Sequence, residues 1–274
     1  MIVEVAVLPI AAIAVERKVC VMVDALRASA TMVAMLDAGA AEITLASSVD
    51  DARQMAAADR ANTWLAGEVG GLPPEDFDLG NSPTEILATP LGTRRIIYAT
   101  SNGTRALAHV AHSPCVLVGS LVNASAVAQY ARAQAVTRGL GLCIVCAGDE
   151  GGTLLSLEDL VSAGVLVELL LASIPTQVWP EDEGSETPNV IALDEAAKAA
   201  LRVYRSYLPP GAPPLPPNPE ALDAAFKDAR HGRDLLRINF PLDFVHCQRA
   251  DSSHRVPLLA RRGERLVVVP APFR

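Results

Sequence analysis

The sequence predicts a three-layer α/β/α protein built on a largely parallel or mixed sheet, with a division into two closely packed lobes left open. Three observations lead there. Short apolar runs alternate with helical periodicity through the first two thirds of the chain. Half of the 274 residues are apolar and only 4% are aromatic, so the core must be filled by Ala, Val and Leu. Polar segments repeatedly follow the apolar runs, where an open α/β sheet presents its ligand-binding edge. The length suits one unit over residues 1–274, or lobes at about 1–120 and 121–274, and no internal repeat or linker separates independent domains.

The expected strands are 3–8, 19–23, 43–46, 63–66, 95–99, 116–119, 142–147 and, near the end, 265–269. Each is a short apolar run bounded by turn-forming residues. Helical patterns fall between them at 29–38, 49–58, 104–111, 124–135 and 156–172. The last of these starts with Ser156, Glu158 and Asp159, the form of an N-cap with acids in the first turn. Residues 175–190 are polar and contain Pro175, Pro180 and Pro188. A helix is expected at 194–207. The stretch 208–219 is so rich in proline that it reads as a surface connection. Another helix is expected at 220–236.

Net charge is −8, so the overall field does not draw the chain to nucleic acid or to an anionic membrane. A small anionic substrate remains compatible, provided that a local cation receives it, either a metal ion or placed arginines. The segment from Met1 to Val15 is apolar but carries Glu4 and no basic leader, so it reads as a strand and its connection. The apolar stretch 161–174 is broken by Glu168 and is too short to span a bilayer. A cytoplasmic protein is expected, with homodimerisation left open. Five scattered cysteines do not make a disulfide framework. Cys143 and Cys146 form a C-x-x-C within an apolar run; residues three apart on a strand face opposite sides and read as buried free thiols.

Five segments after strands could carry chemistry. Asp24 stands at a strand end, followed by Arg27 and Ser29 at a helix start, where backbone N–H groups favour an anion. The segment 67–83 is a long Gly/Pro-rich loop carrying Glu68, Glu75, Asp76, Asp78 and Asn81. Its hard oxygen ligands suit magnesium; Glu68, directly at the strand end, is the better ligand candidate, and Asn81 a candidate substrate contact. The third segment brings Asn102, Gly103, Thr104 and Arg105 to a helix start, a plausible phosphate or sulfonate cradle. The fourth, 148–153, is glycine-rich with Asp149 and Glu150 and leads to Asp159. The fifth offers Asp243 and His246, the histidine reading more readily as structural. No dinucleotide fingerprint follows any strand, and Leu26 breaks the Asp-x-Asp pattern of haloacid dehalogenase-type phosphatases.

Taken together, the stretches VMVDALRASAT, GEVGGLPPEDFDLGNSP, ATSNGTRAL, GS-x-x-NASAVA, VCAG with SLEDLVSAG, LDEAAKAA, and PLDF through to Asp251 and Val256-Pro257 resemble the 2-phosphosulfolactate phosphatase family. The resemblance runs from about residue 18 to 257. It implies magnesium-dependent hydrolysis of (R)-2-phospho-3-sulfolactate to (R)-3-sulfolactate and phosphate, a step toward coenzyme M. On that reading Asp24 and Glu68, backed by Asp159 or Asp243, would hold the metal. Arg27, Ser29, Asn81, Asn102, Gly103, Thr104 and Arg105 would serve substrate, with Asp24, Arg27, Asn102 and Arg105 nearest the chemistry. Two departures stand out: Val69 occupies a place where the family often has Arg, and the segment after Ala147 is about two residues longer than usual. A phosphatase of the same fold acting on another phospho-hydroxy acid, and a non-catalytic anion-binding module, are the competing readings.

Overall fold

A computed structural model of the protein describes residues 1–173 and 191–272. The polar stretch expected at 175–190 lies outside the described residues. The strands are β1 Ile2–Ala6, β2 Lys18–Val23, β3 Ile43–Leu45, β4 Thr63–Gly67, β5 Arg95–Ala99, β6 Cys115–Gly119, β7 Gly141–Cys146, β8 Ala192–Leu193, β9 Pro257–Arg262 and β10 Arg265–Pro270. The helices are α1 Ala28–Asp37, α2 Val49–Ala56, α3 Pro83–Ala88, α4 Gly103–His109, α5 Ala124–Arg138, α6 Leu157–Ala172, α7 Glu195–Ser206, α8 Pro219–Asp228, α9 Arg230–Arg237 and α10 Pro241–Cys247.

All ten strands join one sheet, in the order β4-β5-β3-β10-β9-β6-β2-β7-β1-β8. The sheet is mixed. One parallel set comprises β4, β5 and β3; the other comprises β6, β2, β7, β1 and β8. The hairpin β9–β10 joins the sets, antiparallel to β3 on one side and to β6 on the other. The junction with β6 is a single register pair, Leu117 with Leu258.

Strand alternation sorts the core. Val19, Val21 and Val23 of β2 and Leu142, Ile144 and Cys146 of β7 face a cluster shared with α5, α6 and α7. Cys20, Met22, Cys143 and Val145 face the other side, where Met32 and Met35 of α1 meet Ile96 and Tyr98 of β5 and Val268 of β10. Layers of helix therefore cover both faces of the sheet. Helix α1 packs against β6 and the hairpin β9–β10, at the junction of the two parallel sets, and residues that follow β2, β4 and β5 line one cleft. The C-x-x-C cysteines lie on opposite faces, as strand geometry requires. Burial pushes the Cys143 thiol up to about 12 and the Cys146 thiol well above its ordinary value, which disfavours the reactive thiolate at both.

The eight expected strands are present, together with two more, β8 and β9. The expected helix 220–236 is two helices, α8 and α9, because the chain turns to extended geometry at Ala229 (ψ 144°). Short helices α3 and α10 lie in stretches where the sequence pattern predicts no helix; each starts with Pro in its first turn. Ser156 does not cap α6 through its side chain. Its hydroxyl donates to Glu158 instead, at 2.8 Å.

Candidate active site

A cleft of about 630 Å³ opens where β2, β4 and β5 end. Asp24, Arg27, Glu68, Asn81, Asn102 and Arg105 line it, so six of the expected site residues meet there. The backbone explains the convergence. β2 stops at Val23, and the Asp24 carboxylate turns back to accept the Ala28 N–H of α1 at 3.2 Å. Glu68 follows β4 and folds over its own loop, accepting Gly71 N–H at 2.8 Å and Ser101 N–H at 2.7 Å. One carboxylate thereby ties together the loops after β4 and β5.

Asp24 is 7% exposed and Glu68 8%. Burial pushes the Asp24 carboxyl up to about 6; the nearby Glu68 and Glu158 charges add to the rise, while the Ala28 amide and His231 offset part of it. Gly103 makes the close approach of α4 possible. A Cβ at that position would stand 2.7 Å from the Ala28 methyl and 2.9 Å from Asp24 Oδ2, too near for any side chain.

Asn102 accepts Gly151 N–H through Oδ1 at 2.8 Å. Arg105 is exposed at the cleft, and no ion pair engages its guanidinium among the described residues. The helix it stands on has only seven residues, so the positive character of the cradle rests on the side chain more than on the helix. Asn81 accepts a hydrogen bond from the buried Tyr98 hydroxyl through Oδ1, leaving its amide N–H₂ for the cleft.

Other expected site residues are turned to structural work. Ser29 Oγ accepts Asp24 N–H at 2.9 Å and is fully buried. Thr104 Oγ1 donates to Thr100 O at 3.0 Å, closing its own turn. Asp159 accepts Ala25 N–H at 2.8 Å and Gly148 N–H at 3.0 Å. Burial, with Glu158 and Asp24 nearby, pushes its carboxyl well above the usual range. Asp243 is saturated by Arg27 at 2.7 Å, Ser82 at 2.8 Å and both the Thr84 hydroxyl and amide. Neither Asp159 nor Asp243 lines the cleft. Arg27 does line it, yet it also donates to Gly71 O at 2.6 Å and stacks 4.3 Å from the Phe240 ring centroid. His246 stands outside the cleft, in agreement with a structural role.

The model of the family described as 2-phosphosulpholactate phosphatase matches residues 9–262. The chain belongs to that family. A probable 2-phosphosulfolactate phosphatase of Thermus thermophilus is 36% identical over 252 residues, which is 91% of each chain. Proteins of the same description from Deinococcus radiodurans and Gloeothece citriformis are 34% and 32% identical. They cover 88% and 89% of this chain and 87% and 89% of their own lengths. Several motifs that carry the family likeness prove to be structural in this phosphosulpholactate phosphatase family member. Asn123 of NASAVA bonds Ser120 N–H, Val118 O and Arg255 O. Asp251 takes the amide and the hydroxyl of Ser125, capping α5. Val69 is 61% exposed at the cleft.

The cleft also contains residues that the strand-end rule does not reach. His231 and Arg230 come from the start of α9, far along the chain. His231 sits between two carboxylates, Nδ1 2.8 Å from Glu158 Oε1 and Nε2 2.8 Å from Asp149 Oδ1. Burial acts to lower its pKa, but the Glu158 hydrogen bond and the charges of Glu158, Asp24 and Asp159 outweigh it and push the imidazole up to about 9. It is therefore a cation at neutral pH. In the sequence it is one His in a polar helix, with no motif to mark it.

Proposed function

We propose that the protein is a magnesium-assisted phosphatase of (R)-2-phospho-3-sulfolactate, releasing (R)-3-sulfolactate and phosphate. The observation that supports it is the company of Asp24 and Glu68 with Arg105: two buried neighbouring carboxylates and a guanidinium without an ion pair among the described residues share one cleft. Magnesium usually takes one or two protein carboxylates and completes its shell with water and substrate phosphate. Among the described residues no three His, Cys, Asp or Glu side chains converge to hold a metal by themselves. The pair Asp24 and Glu68 fits the first kind of site. When bound, magnesium supplies charge stabilisation at the phosphoryl oxygens.

The chain's own residues do the rest. Arg105 receives phosphate or sulfonate through a planar fork, and the Asn102 and Asn81 amides line the same cleft as polar contacts. Arg27 and His231 also stand in the walls, Arg27 paired with Asp243 and His231 between Glu158 and Asp149. Asp24 is ionised above about pH 6 and is then able to attack phosphorus or to bind the cation.

Phosphate release from a panel of phospho-hydroxy acids, with and without magnesium, tests this reading. Chelation should abolish turnover and magnesium should restore it. Full activity after exhaustive chelation would sink the metal role. A preference for a sulfonate-free acid would redirect the substrate while keeping the reaction class, and silence on every phosphate ester would favour a binding module.

A further inference from the structure

Asp149, Glu150 and Gly151 form one wall of the cleft. This loop supports the anion-facing side chains at two points. Gly151 N–H donates to Asn102 Oδ1 at 2.8 Å. The Arg105 guanidinium lies against Gly151, where an added Cβ would stand 2.7 Å from Nη1. No carboxylate pairs Arg105 among the described residues, and its guanidinium rests against this loop.

Three contacts in turn fix the loop. Gly148 N–H bonds Asp159 at its start. Arg230 pairs with Asp149 and Glu150, but its side chain is 53% exposed, so solvent screens that attachment. His231 is the more sheltered tie. Its side chain is 23% exposed, and it bridges Asp149 to Glu158, a carboxylate 1% exposed at the start of α6. With both ring nitrogens taken by carboxylates, His231 has no donor left for a substrate.

We propose that His231 is a positioning residue for anion recognition: through Asp149 it fixes the loop 148–153, and the loop fixes Asn102 and Arg105 where substrate is received. The proposal rests on the reading that Arg105 contacts substrate. It adds a chain of contacts that runs from α9 and the start of α6, through the loop that joins β7 to α6, to α4. It also gives the loop after Ala147 a task.

The test combines amide hydrogen exchange with steady-state kinetics on the full chain, for His231→Gln and separately for Asp149→Asn. The second variant keeps the Glu158–His231 pair and guards against a folding failure of the first. Faster exchange is expected at 149–154 and at 102–105, with α5 and α6 unchanged. KM for the phosphate ester should rise about ten-fold while kcat changes by less than about three-fold, since an orienting contact is lost rather than a reacting group. Unchanged exchange at 102–105 would overturn the proposal, as would wild-type KM in a variant whose loop exchanges faster. Arg105→Lys, measured alongside, separates the two levels: wild-type kinetics there would refute Arg105 as a substrate contact, whereas the exchange pattern judges the role of His231 by itself.

Discussion

At the residue scale, the placing of a carboxylate at the end of an apolar strand already singled out Asp24 and Glu68, and the Asn-Gly-Thr-Arg run singled out Asn102 and Arg105. All four line the cleft. Asp24 is held there at a cost. Its folded pKa is raised to about 6, so the folded protein binds its proton more tightly than the unfolded chain does. Stability from this group is therefore lost as pH rises from about 4 through about 6, a penalty of about 3 kcal/mol. Asp24→Asn should abolish turnover and, in metal-free buffer above pH 6, raise the melting temperature, with the gain vanishing near pH 4. Near-normal turnover in that variant would reduce Asp24 to a cap. Arg105→Lys removes a bidentate fork and keeps the charge. A fall in kcat/KM of about ten- to a hundred-fold, with an unchanged melting temperature, is expected from a lost charge-assisted hydrogen bond. A sulfonate-free analogue then locates the contact, since equal impairment on both substrates means phosphate and insensitivity of the analogue means sulfonate.

At the element scale, Arg27 and Asp243 form a pair that no local pattern reveals. They are 216 positions apart. Arg27 is 3% exposed and Asp243 1%, and together they clamp the starts of α1, α3 and α10 around one buried ion pair. Asp243→Ala should destabilise the protein by about 3–5 kcal/mol, because it leaves a guanidinium buried without its carboxylate. Denaturant unfolding measures this, and an unchanged midpoint would show that the Phe240 face and Gly71 carbonyl suffice for Arg27. The helices α3 and α10 that this pair joins were hidden in the sequence. With six and seven residues they are too short for a periodic pattern to emerge.

At the scale of the whole molecule, the cleft is a meeting of charges from distant parts of the chain, and its titration should register in global stability. His231 on α9 faces Glu158 and Asp159 of α6, Asp149 of the loop after β7 and Asp24 after β2, with Arg230 beside it. Its folded pKa is raised to about 9 from an unfolded value near 6.5. The stabilisation is thus full below about pH 6.5 and is lost as pH rises through about 9. The melting temperature should fall between pH 7 and 10, and the fall should flatten in His231→Gln. An equally steep fall in that variant would assign the loss to other groups.

The sequence by itself determined the α/β class, eight of the strands, the aliphatic core and the burial of the cysteines on opposite faces of β7. These follow from local periodicity and from the short reach of backbone hydrogen bonding, both of which are written in neighbouring residues. The motifs in order also carried the family. Tertiary structure alone decided the antiparallel hairpin β9–β10 that joins two parallel sets, and the meeting of the segments after β2, β4 and β5 in one cleft. It likewise decided that Ser29, Thr104, Asp159 and Asp243 turn away to backbone and side-chain donors while His231 enters the cleft. Which donor a carboxylate finds depends on through-space distance between segments up to 216 residues apart, and no local pattern encodes that distance.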